Sequence, residues 1–255
     1  MKIGGTRAIV VGGASGMARA TAEMLVREGA RVAILDREVS KGEEAAAAMG
    51  DGTRFYRCDV TDFAGTEAAI TRAADDLGAL HFGVNTAGGG IARRTLTKEG
   101  PHPLDDFRAV IDLNLIASFN VARLQAHRMA SNEADENGER GVILMTASIA
   151  AFEGQIGQVA YSAAKAGIAG MTLTMARDLG SLGIRVVTIA PSLFHTGLTK
   201  GIPKGMEEGL TKDAAFPKRM GRPEEYAHIA RAIFENPMVN GSVMRLDGGQ
   251  RFAPK

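Results

Sequence analysis

Short β-branched and apolar runs alternate along this 255-residue chain with longer stretches of helical period. This alternation constrains the fold most, because neighbouring parallel strands need a crossover and a helix is its usual form. Runs at 8–11, 31–35, 53–58, 80–84, 142–146, 184–189 and 242–246 predict seven strands in one sheet. Between the first two, Met17, Ala20, Met24 and Leu25 share a helical face and Gly29 supplies a stop. The pattern predicts an α/β fold, a doubly wound parallel sheet forming a single domain over residues 1–255. A long helix is expected over 104–128, followed by a polar, exposed spacer loop at 131–140. Residues 191–222 break the alternation and are expected to form a lid over the substrate.

An apolar share of 45% is ample for one core, and 30 basic against 29 acidic residues leave no excess charge to hold a polyanion. A nucleic-acid partner is therefore not expected. The single cysteine, Cys58, forms neither an internal disulfide nor a zinc cluster, and it is expected in the core of a protein from a reducing compartment. No apolar run approaches the ~20 residues of a membrane span, and a strand-like segment begins almost at Met1. The expected location is the cytoplasm.

Ligands of open α/β sheets bind outside the carboxyl ends of the strands. After the first strand comes Gly12-Gly13-Ala14-Ser15-Gly16-Met17-Ala18, a tight turn opening a helix, where backbone N–H groups and the helix dipole suit a pyrophosphate. Asp36 follows the second strand, 20 residues beyond Gly16, placed to accept from a ribose diol. Asp59 follows the third, in reach of an adenine amino group, and Asn85-Thr86-Ala87-Gly88-Gly89-Gly90 follows the fourth. With 32 glycines in the chain, the bare G-x-x-x-G is as compatible with an ordinary strand-helix turn. The strand before it, the helix after it and the acid 20 residues on favour dinucleotide binding.

Tyr161-Ser162-Ala163-Ala164-Lys165 stands in a stretch of helical period, so Tyr161 and Lys165 share a face one turn apart. An ammonium beside a phenol is expected to lower its pKa from ~10 toward working pH, as general acid/base chemistry requires. Alone, the pair reads more readily as a core tyrosine and a surface lysine, and its context reverses that. Ser148, 13 residues earlier at a strand end, is placed to donate to a substrate oxygen held between it and Tyr161, or else to cap a helix. Asn114 falls on the apolar stripe of Phe107, Ile111 and Val121, so it is expected to be buried and hydrogen-bonded.

In order and spacing, Gly12/Gly16, Asn85-Thr86-Ala87-Gly88, Asn114, Ser148, Tyr161 and Lys165 resemble the short-chain dehydrogenases/reductases over essentially the whole chain. The resemblance implies a Rossmann-like fold, NAD as cofactor and a catalytic set of Asn114, Ser148, Tyr161 and Lys165. It assigns Lys165 also to the nicotinamide ribose and Asn114 to a water in a proton relay. The implied cofactor contacts are Gly12, Ser15, Gly16, Met17, Asp36, Asp59, Val60, Asn85, Ala87, Gly88, Tyr161, Lys165, Pro191 and Thr196, with no metal. Within the family, Ala151-Phe152-Glu153-Gly154-Gln155, Glu225-Tyr226-Ala227-His228 and Arg245-Leu246-Asp247-Gly248 are similar to the type-2 3-hydroxyacyl-CoA dehydrogenase members. That similarity implies oxidation of a short or medium 3-hydroxyacyl-CoA, a small-molecule acyl-CoA partner and a homotetramer built partly on the helix carrying Tyr161. The alternatives are a 3-oxoacyl-carrier-protein reductase, another alcohol or steroid dehydrogenase, or a dinucleotide-sensing scaffold without catalysis. Two positions depart from the family pattern: Ala18 stands for the third glycine of the turn, and Ser192 for a glycine after Ile189-Ala190-Pro191.

Overall fold

The computed structural model describes residues 1–50, 52–196 and 204–254. Seven parallel strands form the central sheet: β1 (Arg7–Val11), β2 (Arg31–Asp36), β3 (Thr53–Arg57), β4 (Phe82–Asn85), β7 (Gly141–Thr146), β8 (Ile184–Pro191) and β9 (Val243–Leu246), in the order β3-β2-β1-β4-β7-β8-β9. Two short strands outside that sheet, β5 (Leu96–Thr97) and β6 (Gly100–Pro101), pair antiparallel. Connecting helices are α1 (Gly16–Arg27), α2 (Gly42–Met49), α3 (Phe63–Leu77), α4 (Leu104–Ile111), α5 (Ala117–Met129), α6 (Val159–Gly180), α7 (Lys204–Thr211) and α8 (Pro223–Glu235).

Both faces of the sheet are covered, as an all-parallel sheet requires. Alternate residues of one strand therefore enter different cores. In β1, Ile9 and Val11 join α3, α5 and α6 on one face, whereas Ala8 and Val10 join α1 and α8 on the other. Cys58 is buried, as expected. Strand order reverses between β1, which leads to β2 and β3 on one side, and β4 on the other. The loops after β1 and β4 diverge there and open a crevice. No described helix is long and apolar enough to cross a membrane.

Three segments differ from the sequence reading. The expected helix at 104–128 is α4 and α5 joined by a π-helical turn, Asp112–Ile116, which carries Asn114. Apolar periodicity does not register one extra residue in a turn. The supposed spacer at 131–140 is partly internal: Glu139 is 5% exposed and accepts from Arg185 Nε at 2.5 Å and from the Met1 amine at 2.8 Å. Arg185 also donates to the Ile233, Phe234 and Val239 carbonyls, fastening the end of α8 to β8. Its partners come from distant parts of the chain, so local polarity gave no sign of the cluster. The irregular stretch 191–222 contains α7 and an isolated bridge between Phe194 and Gly221. Leu198 and Lys200, expected in the lid, lie outside the described residues.

Candidate active site

The crevice between the β1 and β4 loops is a cleft of about 670 Å³. Its floor is the β1–α1 turn. Gly12 has φ +83°, and a Cβ there would stand 2.8 Å from Thr86 Oγ1 and 3.2 Å from the Ala87 amide nitrogen. Gly13 packs so closely that a Cβ would meet Ile34 at 2.7 Å. These contacts draw the β1 and β4 loops together and leave the backbone bare. Ser15 precedes α1 without donating or accepting a side-chain cap, and the first turn holds no acidic residue. The free N–H groups and positive end of α1 therefore face the cleft, which fits the pyrophosphate of a dinucleotide. Ala18 is fully buried in the core beneath the turn, so its methyl is accommodated. Ser192 donates its amide to the Leu246 carbonyl at 3.1 Å, continuing the β8–β9 pairing past Pro191.

Asp36 closes β2 at the side of the cleft, with Oδ2 accepting from the Ala14 amide at 3.1 Å and Oδ1 from Arg37 N at 2.8 Å. Both bonds orient the carboxylate across the mouth. Asp59 lines the same wall, but its Oδ1 accepts from Thr61 N at 2.9 Å and Thr61 Oγ1 at 2.6 Å. Those bonds, with a smaller contribution from Arg37, hold its pKa below the usual carboxylate range. Val60, Met17, Ala87, Gly88 and Thr196 also line the cleft, and Thr196 stands over Gly16, where a Cβ would meet its own at 3.1 Å.

Four expected contacts, Asn85, Pro191, Tyr161 and Lys165, are not among the lining residues; the last two stand against the β4 loop at Gly88 and Gly90. Asn85 turns its side chain into the core, exchanging reciprocal hydrogen bonds with Gln125 at 2.9 and 3.0 Å. Pro191 is the buried last residue of β8, paired with Leu246. Arg37, which follows Asp36 and is the one local group that would favour a 2′-phosphate, also lines the cleft. The sequence reading missed Thr61 and Leu113, which line it too. Thr61 follows a strand-end carboxylate, which was the available signal; Leu113 depends on the π turn.

At the inner end, Asn114, Lys165 and Tyr161 crowd the β4 loop. Asn114 is fully buried and donates from Nδ2 to Gly89 O at 2.6 Å and Val110 O at 2.8 Å, while Oδ1 accepts from Gly89 N at 3.2 Å. A Cβ on Gly88 would lie 2.6 Å from Asn114 Oδ1 and 3.3 Å from Lys165 Nζ, and one on Gly90 would touch the Tyr161 ring at 3.0 Å. Only glycines let the loop run between these side chains. Lys165 is 3% exposed and donates to Thr146 O at 3.0 Å. Burial lowers its pKa to about 8. Tyr161 is hydrogen-bonded with Ser148, whose Oγ also accepts from Ala150 N at 3.2 Å and so caps the short helical turn Ile149–Ala151.

The expectation of a depressed phenol pKa needs correction. Burial raises the Tyr161 pKa, opposed by its bond to Ser148. The Lys165 ammonium gives its hydrogen bond to a carbonyl and lies 5.5 Å from the Tyr161 ring centroid, so it does not reverse the cost of desolvating a phenolate.

A cleft with a bare glycine cradle and a β2 carboxylate, and a tyrosine-lysine pair packed against the β4 loop that walls it, make up the arrangement, and the short chain dehydrogenase family model matches residues 6–207. The chain belongs to the short chain dehydrogenase family. It is an enzyme of that family, whose dehydrogenases use nicotinamide cofactors. It is 49% identical to the 3-hydroxyacyl-CoA dehydrogenase type-2 of Homo sapiens over 252 residues, covering 98% of this chain and 97% of the relative. The Drosophila melanogaster 3-hydroxyacyl-CoA dehydrogenase type-2 is 49% identical over 248 residues, covering 96% and 97%. The crystal structure of 3-hydroxyacyl-CoA dehydrogenase type-2 from Mycobacterium avium superposes with a TM-score of 0.94 at 44% identity, covering 98% of each chain. The fold of this short chain dehydrogenase is thus the doubly wound, single-domain sheet that its strand pattern predicts.

Proposed function

We propose that this enzyme catalyses the reversible oxidation of a short or medium 3-hydroxyacyl-CoA to the 3-oxoacyl-CoA with NAD. The carrying observation is the meeting of Ser148, Tyr161, Lys165 and Asn114 at the inner end of a cleft whose other end is closed by Asp36. In this reading the nicotinamide, when bound, supplies the hydride acceptor. Ser148 donates to the substrate oxygen, and Tyr161 as phenolate accepts the hydroxyl proton. Lys165 holds the nicotinamide ribose and favours the phenolate when charged. Asn114 fixes the β4 loop through Gly89 and orders a water behind the lysine for proton exchange. Holding the carbinol carbon against the cofactor in reactive geometry supplies much of the rate.

Asp36 decides the cofactor. Its carboxylate accepts from a ribose diol and repels a 2′-phosphate; Arg37, beside it, also interacts electrostatically with Asp59. Residues 191–196 and 204–222 are the described parts of the lid, with Met206 and Leu210 on α7 and Phe216 beyond it exposing apolar surface. Such a surface suits an acyl chain.

One panel tests the reading: NADH or NADPH oxidation with acetoacetyl-CoA, an acetoacetyl carrier protein and a ketone lacking any phosphate handle. The expected result is highest kcat/KM for NADH with acetoacetyl-CoA. Equal or better use of NADPH refutes the cofactor assignment. Turnover of the carrier-protein thioester alone makes the enzyme a reductase of that substrate, and equal reduction of the bare ketone removes the CoA ester as its substrate.

We also assign a homotetramer built partly on α6. Small Ala163, Ala166 and Gly170 lie exposed along it, and Leu173 on α6, Phe119 on α5 and Ile116 in the π turn are each at least 40% exposed. Light scattering at micromolar concentration is expected to return about four 26.8 kDa units, and a single unit rejects the assignment.

A further inference from the structure

The chain beyond β9 turns back on itself at Gly248 and Gly249, with φ +58° and +75°. Asp247 holds the turn, its Oδ1 accepting from Gly249 N and its carbonyl from Gln250 N, both at 2.9 Å. The turn drives the Gln250 side chain inward, to 2% exposure, where Nε2 donates to the Leu210 carbonyl at 2.7 Å. Leu210 is in the last turn of α7, whose carbonyls have no partner within the helix. Gln250 thus caps α7 from a segment 40 residues away.

The same residue faces the other way through its backbone. Gln250 O accepts from Arg245 Nη2 at 3.0 Å. The Arg245 guanidinium is forked onto Glu153, with Nη1 on Oε2 at 2.9 Å and Nη2 on Oε1. Glu153 stands just past the turn that Ser148 caps. A continuous set of contacts therefore runs from α7 through Gln250, Arg245 and Glu153 to the loop that carries Ser148.

We propose that Gln250 is a positioning residue that fixes α7 over the substrate and sets the helix in register with Ser148. The inference rests on the lid reading given above. Gln250 touches neither cofactor nor reacting atoms in this view; it acts through α7. Loss of its one donated bond is worth ~0.5–1.5 kcal/mol, or roughly a two- to tenfold effect.

The test is Gln250→Met, which keeps side-chain length and removes the donor, with Gln250→Glu as a second variant lacking it. KM for acetoacetyl-CoA is expected to rise about fivefold, with kcat within about twofold and the NADH Kd unchanged. Hydrogen exchange of the 208–211 amides is expected to quicken by a similar factor, with β7 and β8 amides unchanged. Unchanged exchange at 208–211 overturns the inference. Faster exchange with unaltered KM, or uniformly faster exchange with a fall in kcat alone, overturns the positioning role. Failure of the wild-type enzyme to reduce acetoacetyl-CoA overturns the proposed substrate instead, and the exchange result then decides whether Gln250 holds α7.

Discussion

Tyr161→Phe is expected to lower kcat by at least ~10²-fold while leaving NADH affinity unchanged, because it keeps the ring and removes only the transferable proton. The ring itself packs against Gly90, and the hydroxyl is bonded to Ser148, so the substitution releases one bond and no packing. Steady-state kinetics with a fluorescence titration of NADH separate the two effects. Turnover within tenfold of wild type would mean that another group carries the proton. A parallel loss of NADH affinity would mean that the hydroxyl has a binding role.

Glu139→Gln is expected to destabilise the fold by about 3 kcal/mol, the scale on which a buried pair loses one charged partner. Arg185, 7% exposed, would then keep its carbonyl acceptors but lose its counter-charge, and so would the Met1 amine. For a domain of this size each kcal/mol shifts Tm by roughly 2–4 °C, so a fall of about 10 °C is expected in a thermal melt. A fall under about 2 °C would show that the carbonyls alone satisfy the guanidinium. Catalytic constants of the folded variant should stay near wild type, since the cluster lies between α8 and β8, away from the cleft.

The strands were the most legible part of this chain. All seven central strands were read from sequence to within two residues at each end; the inner ones, such as β1, β4, β7 and β8, are buried on both faces and present nearly unbroken apolar runs, whereas the edge strands β3 and β9 carry Arg54, Arg57 and Arg245 and were read from shorter β-branched or aromatic runs. The two-residue β5 and β6 carry no such run. In the site, Asp36 and the glycine turn were read from their place after strands; the apolar stripe gave the burial of Asn114, and only the family resemblance gave its place in the site. The side-chain direction of Asn85 was not legible: its position after β4 predicted the cleft, but Gln125, 40 residues on, supplies a complementary amide in the core. Nor was the electrostatic state of Tyr161 and Lys165, since spacing reports proximity and says nothing of the water removed from around both groups.

The scaffold around this cleft is held mainly by amides and the reaction is assigned to ionisable groups. Asn85 locks to Gln125 beneath β4, and Asn114 grips Gly89 from both sides. Neither contact changes with proton concentration over the range in which a phenol or an ammonium does. This inner wall can therefore keep its shape while the chemistry beside it titrates, so alkali acts on the occupants of the machine before it acts on this part of the frame.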